Sequence, residues 1–264
     1  MQTEARIRHE VFHTFPVYTY ALLFQNGKFV DEEFARWCNK QNTEWYDSNF
    51  YIGDSVTNLA SCCRMLNDLS KQKQFQSSIG GSLIEIGSVK VSTINLMRIA
   101  LESKGDKSKF IKILTERTKL NMLVLDRIRH IIQRNIEKGL LPNYSNKVIN
   151  LEKQTTTNGL TAMFEAIKHM GMTVEDEFGN ITYTDEGLAF ASKIMDTVNK
   201  LQKESNYGYN ISLEIIPAEA ANVKLCKKDN IIYNLNNTFI YSNQWTSLMA
   251  KSSIWQRVRL ASVL

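Results

Sequence analysis

The stretch Tyr209-Asn210-Ile211-Ser212-Leu213-Glu214-Ile215-Ile216-Pro217-Ala218-Glu219-Ala220-Ala221 changes character at its proline. Tyr209 to Ile216 reads as a strand, introduced by Gly208. From Ala218 onward small residues open a helix, AEAANVKLCKKD. Pro217 suits the first helical turn, because its missing N–H has no acceptor there in any case. A strand delivered directly into a helix is the building unit of an α/β fold. The first N–H groups of such a helix, beside small side chains, form a pocket that seats an anion such as phosphate. Many strand–helix turns share these features and hold no ligand.

Working outward, the same alternation of strands and helices recurs. Thr14 to Phe24, TFPVYTYALLF, is rich in β-branched and aromatic residues and reads as a buried strand. Asn26-Gly27 supplies a turn. Asp31 then opens a helix with Phe34, Trp37, Cys38 and Gln41 at helical spacing, its acidic first turn matching the helix dipole. QKQFQSSIGGSLIEIGS, residues 72–88, is polar and glycine-containing and is expected to be a loop or hairpin. Val89 to Leu96 predicts a strand. A long helix is expected from Ser108 to Lys138, with an apolar stripe of Phe110, Ile113, Leu114, Leu120, Leu123, Ile128, Ile131 and Ile132. Gly139 and Pro142 end it. A further helix is expected over Gly159 to His169. Thr184-Asp185 caps another, which carries Leu188, Ala191, Ile194, Met195, Val198 and Leu201. TFIYSN predicts a last strand ending near Asn243. The pattern predicts parallel strands, with ligands at the polar loops after strand C-terminal ends. No linker, repeat or low-complexity tract divides the chain, so residues 1–264 are expected to form a single domain.

Length and composition fit a globular protein. The chain has 264 residues, 43% hydrophobic and 22% charged, with a net charge of +5. This mild excess suits an anionic ligand, but the cations sit among acidic neighbours, as in DKSKFIKILTERTK, so direct nucleic-acid binding is not expected. No apolar run is long enough to span a membrane, and MQTEARIRHEVFHTF lacks the apolar core of a secretory signal. Four cysteines, at 38, 62, 63 and 226, make no disulfide framework, which points to reducing cytoplasm (a host's cytoplasm for a phage-encoded chain).

The adjacent pair in Ser61-Cys62-Cys63-Arg64-Met65-Leu66 is the most reactive feature by residue type. A zinc site needs about four ligands, and neither a second cysteine pair nor His9 and His13 completes one, so no metal is expected. Cys38 and Cys226 fall within helices and read as packing. Trp245 and Trp255 read as packing or interface residues, and nothing in the sequence brings Glu165 and Glu219 together as a carboxylate pair.

Taken in order, these segments resemble one family. The Pro217-Ala218-Glu219 turn after a strand reading N-x-x-x-E, with K-x-x-x-K-D at Lys224 to Asp229, is similar to the class III anaerobic ribonucleoside-triphosphate reductases of the glycyl radical enzyme family. Cys63-Arg64 resembles the active-site loop of that family. Val91-Ser92-Thr93-Ile94-Asn95-Leu96-Met97-Arg98-Ile99-Ala100-Leu101 resembles its VVTINLPRIAL strand, with Met97 at the usual proline. Leu114-Thr115-Glu116-Arg117 resembles the start of its long helix, and Gly159-Leu160 through Glu165 its I-G-hydrophobic-x-E segment. Ile240-Tyr241-Ser242-Asn243-Gln244-Trp245 resembles its Y-[ST]-N segment.

The resemblance implies an α/β fold, part of a ten-stranded glycyl-radical-type barrel with a central finger loop. It makes Cys63 the thiyl cysteine, since it precedes the arginine, with Cys62 where some relatives have glycine. It implies a ribonucleoside triphosphate substrate held by Arg64, Ser88, Pro217, Ala218, Glu219, Ala220 and Ala221, with Ser88 near the ribose and Glu85 as its rival. The Arg-Val-x-Gly-Tyr motif, the four-cysteine zinc site and the N-terminal effector region of the family have no counterpart in this stretch, and Gly208 only introduces a strand. The resemblance therefore implies a partial catalytic barrel, inactive alone. The glycyl radical is expected on another segment or chain, installed by an activating radical SAM enzyme. Two other readings stay open: a pyruvate formate-lyase-like enzyme, since that family uses adjacent cysteines, and a non-catalytic remnant or interaction module.

Overall fold

The computed structural model describes residues 6–7, 10, 18–45, 48–54, 58–60, 66–68, 88–209, 211–215, 218–235, 239–243, 253–255 and 257. The chain divides into two compact units, Met1–Ser88 with Pro142–Thr155, and Val89–Leu141 with Thr156–Leu264.

In the first unit, β1 (Tyr18–Gln25) runs parallel to β3 (Ser48–Gly53), with Tyr18 opposite Ser48 and Leu23 opposite Gly53. Asn26 and Gly27 fold β1 back onto β2 (Lys28–Phe29), with φ of 52° and 77°. Both central residues of such a tight hairpin need positive φ, which the Asn-Gly pair supplies. Helix α1 (Glu32–Trp45) lies between β2 and β3 in sequence. Its start is set by the Asp31 side chain, which accepts the Phe34 N–H at 2.8 Å. Tyr20, Leu22, Ala35 and the fully buried Cys38 form the core of this unit. The expected strand, turn and helix are present over the described residues, and Cys38 is a packing residue. β4 (Asn58–Ala60) pairs antiparallel with β5 (Leu66–Asp68). Residues 61–65 and 69–87 lie outside the described residues.

The second unit is built on a three-stranded sheet in the order β10-β7-β6, from β6 (Ser88–Asn95), β7 (Thr155–Thr161) and β10 (Ile211–Ile215). β10 and β7 are parallel, with Ile211 opposite Thr156 and Ile215 opposite Leu160. The helices are α2 (Leu96–Ser103), α3 (Lys107–Glu137), α4 (Met163–His169), α5 (Asp185–Glu204) and α6 (Glu219–Tyr233). Between α4 and α5 lies an antiparallel hairpin of β8 (Thr173–Glu175) and β9 (Ile181–Tyr183), which the sequence reading did not anticipate. Its turn is tied by Asp176, which accepts from the Phe178 and Asn180 N–H groups. The core joins Ile94, Leu96 and Ile99 to Phe110 and Leu114 of α3, and to Leu188, Phe190, Ile194 and Val198 of α5. Thr184 caps α5 as expected, accepting the Gly187 N–H at 3.0 Å.

Four expectations change. Gly159 to Thr161 are strand, not helix, because they pair with β10; only Met163–His169 is helical. The run beginning at Val89 stops being strand at Asn95, whose side chain accepts the Arg98 N–H at 3.1 Å and starts α2, so Met97 to Leu101 are helical. Phe239 to Asn243 form no strand. Finally, the apolar stripe expected along α3 holds at Phe110 and Leu114, but Leu120, Leu123 and Ile131 are exposed. The buried face there carries Thr118, Met122, Leu125, Asp126 and Arg129. Polar partners make this possible: the Tyr209 hydroxyl donates to Asp126 at 3.2 Å and the Arg129 guanidinium lies 4.3 Å from the centre of the Tyr209 ring. No helix among the described residues is long and apolar enough to cross a membrane.

Candidate active-site elements

Strand β10 ends at Ile215 and helix α6 begins at Glu219. Asn222 N–H bonds to the Ala218 carbonyl at 2.8 Å, closing the first helical ring. The N–H groups of residues 219–221 precede that ring and have no acceptor within the helix. Ala218 is half-buried, and Ala220 and Ala221 are exposed, with side chains of a single methyl group. Pro217 and the Glu219 side chain lie outside what is described.

The turn is braced from below by the segment Tyr241–Asn243, which acts as a strap. The Ala218 N–H donates to Asn243 Oδ1 at 3.2 Å, and Asn222 Nδ2 donates to the same oxygen. Asn222 is fully buried, and its own Oδ1 accepts the Thr161 hydroxyl at 2.7 Å. Thr161 and Ala162 reach the strap as well, donating to the Ser242 carbonyl at 3.2 and 3.0 Å. Ser242 in turn donates its N–H at 3.0 Å and its hydroxyl at 2.6 Å to Glu165 Oε1. The second Glu165 oxygen is buried without a partner among the described residues. Burial raises the Glu165 pKa, and the Ser242 bonds oppose that rise. The short helix carrying Glu165 leaves β7 through Ala162, whose φ is 61°.

Asp229 holds the other end of the strap. It is fully buried and accepts from the Tyr241 hydroxyl at 2.9 Å, from Asn95 Nδ2 at 2.8 Å, and from the Arg98 guanidinium. Arg98 also lies 5.6 Å from the centre of the Tyr233 ring. Burial pushes the Tyr241 hydroxyl pKa up, and its bond to Asp229 adds to the rise, so it stays a donor. Met97 packs beside this hub with Ala162, Cys226 and Tyr241. The segments around Asn95, Glu165, Asp229 and Asn243 are far apart in sequence, and one hydrogen-bonded network joins them.

Of the residues singled out by sequence, Cys62, Cys63, Arg64, Glu85, Pro217 and Trp245 lie outside the described residues. Ser88 is the first residue of β6, half-buried, in the first unit. Ala218, Ala220 and Ala221 lie at the start of α6 in the second unit. Glu165 is engaged with Ser242. Cys226 is fully buried, a packing residue, and Trp255 is exposed. Among the described residues no cluster of His, Cys, Asp or Glu is arranged to hold a metal. Sequence reasoning missed Asn222 and the hub role of Asp229. Their spacing held a signal: 222, 226 and 229 share one helical face, and two polar residues beside a buried cysteine demand buried partners.

A family model for anaerobic ribonucleoside-triphosphate reductase matches residues 2–264. The anaerobic ribonucleotide reductase from Thermotoga maritima with citrate in the active site is 40% identical, with a TM-score of 0.79 over 97% of this chain and 46% of its own. The Thermotoga maritima reductase in complex with dATP and CTP is also 40% identical, with a TM-score of 0.81 over 97% of this chain and 42% of its own. A further anaerobic ribonucleotide reductase is 41% identical, with a TM-score of 0.81 over 97% and 40%. The chain thus spans less than half the length of these relatives. No curated protein matches it. Matched along nearly all of its length, and similar in structure to reductases at this identity, the chain belongs to the anaerobic ribonucleoside-triphosphate reductase family.

Proposed function

We propose that this chain is the catalytic-cysteine and phosphate-binding part of an anaerobic ribonucleoside-triphosphate reductase, folded as one domain of a ten-stranded barrel whose finger loop carries Cys63. The start of α6, braced through Asn222 and Asn243, is the observation that carries this reading. Backbone N–H groups of residues 219–221 at a helix start suit the phosphates of a ribonucleoside triphosphate. A relative solved with dATP and CTP supports a nucleotide ligand.

In this reading Cys63 does the hydrogen transfer, because a thiol S–H bond is weak enough to form and break reversibly. Cys63 takes the ribose 3′-hydrogen, the 2′-hydroxyl leaves as water, and two electrons come from formate or a thioredoxin-type thiol. Arg64, Ser88 and the 217–221 turn hold the substrate, with Ser88 toward the ribose. For the hydrogen transfer the Cys63 thiol would first give its hydrogen atom to a glycyl radical expected on another segment or chain, leaving the thiyl sulfur that takes the ribose hydrogen. Cys63 itself lies outside the described residues. The partners are the remaining reductase segment and an activating radical SAM enzyme, the compartment is the cytoplasm, and no metal, membrane or nucleic acid is required of this chain.

The test is anaerobic co-expression with a radical-bearing reductase segment and its activating enzyme, reading deoxyribonucleotide formation. Cys63→Ser abolishes product and Cys62→Ser retains it. Equal product from Cys63→Ser and the unaltered chain would overturn the assignment.

A further inference from the structure

Helix α3 is apolar on two opposite sides. One side packs into the core through Phe110, Leu114, Met122 and Leu125. The other carries Leu120, Leu123, Val124 and Ile131, which are 60%, 42%, 45% and 48% exposed. Steps of four and seven residues set Leu120, Val124 and Ile131 on one line, the spacing of a helix–helix seam. A contiguous exposed apolar row on a soluble surface marks an interaction site.

Charge identifies the kind of partner. Lys112, Lys119, Arg127 and Arg134 are exposed along this side of α3, and none pairs with a carboxylate among the described residues. The α3 cations that do pair, Lys107 with Glu186 and Arg117 with Glu102, reach residues on other helices. Glu116 is the one exposed acidic residue between Lys112 and Arg134. Opposite charges flanking an apolar seam set partner choice between helices.

We infer that the outer face of α3 docks an acidic amphipathic helix of a partner protein. Its apolar residues lie against Leu120, Val124 and Ile131, and its carboxylates meet Lys119, Arg127 and Arg134. A second copy of this chain is disfavoured, because it would bring two basic rows together. Nucleic acid would match the cations and leave the apolar row unused. The inference is independent of the reductase chemistry.

The probe is a labelled helical peptide of about 21 residues, three heptads, with a leucine seam and glutamate flanks. Its binding to the 264-residue chain is followed by fluorescence anisotropy, beside the same peptide with lysine flanks. The glutamate peptide is expected to bind about tenfold tighter or more, with the difference shrinking as salt rises from about 50 to about 500 mM. The double variant Leu120→Glu with Val124→Glu abolishes binding and leaves the circular dichroism spectrum unchanged, since both residues are exposed. Phe178→Glu, at an exposed residue of the β8–β9 hairpin, leaves binding unchanged. Equal binding of the two peptides, no binding of either, or binding that survives the double variant would overturn the inference. So would sedimentation showing a dimer of the chain that the double variant splits, or a duplex oligonucleotide that displaces the glutamate peptide.

Discussion

The strap Tyr241–Asn243 is held by two inward-facing carboxylates in opposite ways. Asp229 has no exposure, and the Arg98 guanidinium, Asn95 and Tyr241 all donate to it, so its charge has both a counter-charge and full hydrogen bonding. Glu165 has no ion pair among the described residues. One of its oxygens serves Ser242 twice, and the other is buried with no partner among the described residues. The lesson is that the same side-chain chemistry makes a rigid pin at one end of the strap and a proton-sensitive one at the other. A buried charge with its counter-ion depends strongly on that partner, whereas burial with only neutral donors favours the protonated form of Glu165.

That contrast sets an order of effects. Asp229→Ala strands Arg98 in a largely buried site and should destabilise the second unit by about 3–5 kcal/mol, read from the midpoint of urea unfolding; a cost near zero would remove its role as the pin. Glu165→Ala leaves the Ser242 N–H and hydroxyl without their acceptor, a loss of about 1–3 kcal/mol, measured the same way. Tyr241→Phe removes one bond to Asp229 and keeps the ring packing, for about 1 kcal/mol.

Glu165→Gln keeps an acceptor for Ser242 and so changes little at low pH. The raised Glu165 pKa means that the folded chain binds this proton more tightly than the unfolded chain. Stability from this group is therefore complete below the ordinary value of 4.5 and is lost as pH rises through the raised one. The natural chain should lose stability relative to the glutamine variant as pH climbs from 4.5 toward neutrality. Parallel pH profiles would show that Glu165 is not the soft end. Ala162→Gly should have the smallest effect. Relief of the left-handed backbone, about 1 kcal/mol, is offset by loss of a buried methyl group, about 0.8 kcal/mol.

Much of the second unit was legible because its signals are local. Thr184 reaches only the Gly187 N–H, and the long helix begins and ends within a residue of expectation because Asp106 caps it and Gly139 follows it. The misread segments are those whose state depends on distant partners. Gly159-Leu160-Thr161 has helix-compatible neighbours, and pairing with residues more than fifty positions later makes it strand. The α3 stripe failed because two apolar rows share one helix, and periodicity cannot say which of them meets the core.

The sequence by itself determined the alternation of strands and helices, the caps and turns that punctuate them, and the order of motifs that marks the family. Those depend on contacts within a few residues. Only the tertiary structure decided that Asn95 bonds Asp229 across 134 positions and Glu165 bonds Ser242 across 77. It alone showed that the helix start at Ala218 is fixed by the Asn243 side chain. A buried polar group must find a partner, but its own neighbours do not name that partner. Chain folding does, by bringing residues that are remote in sequence into one dry network.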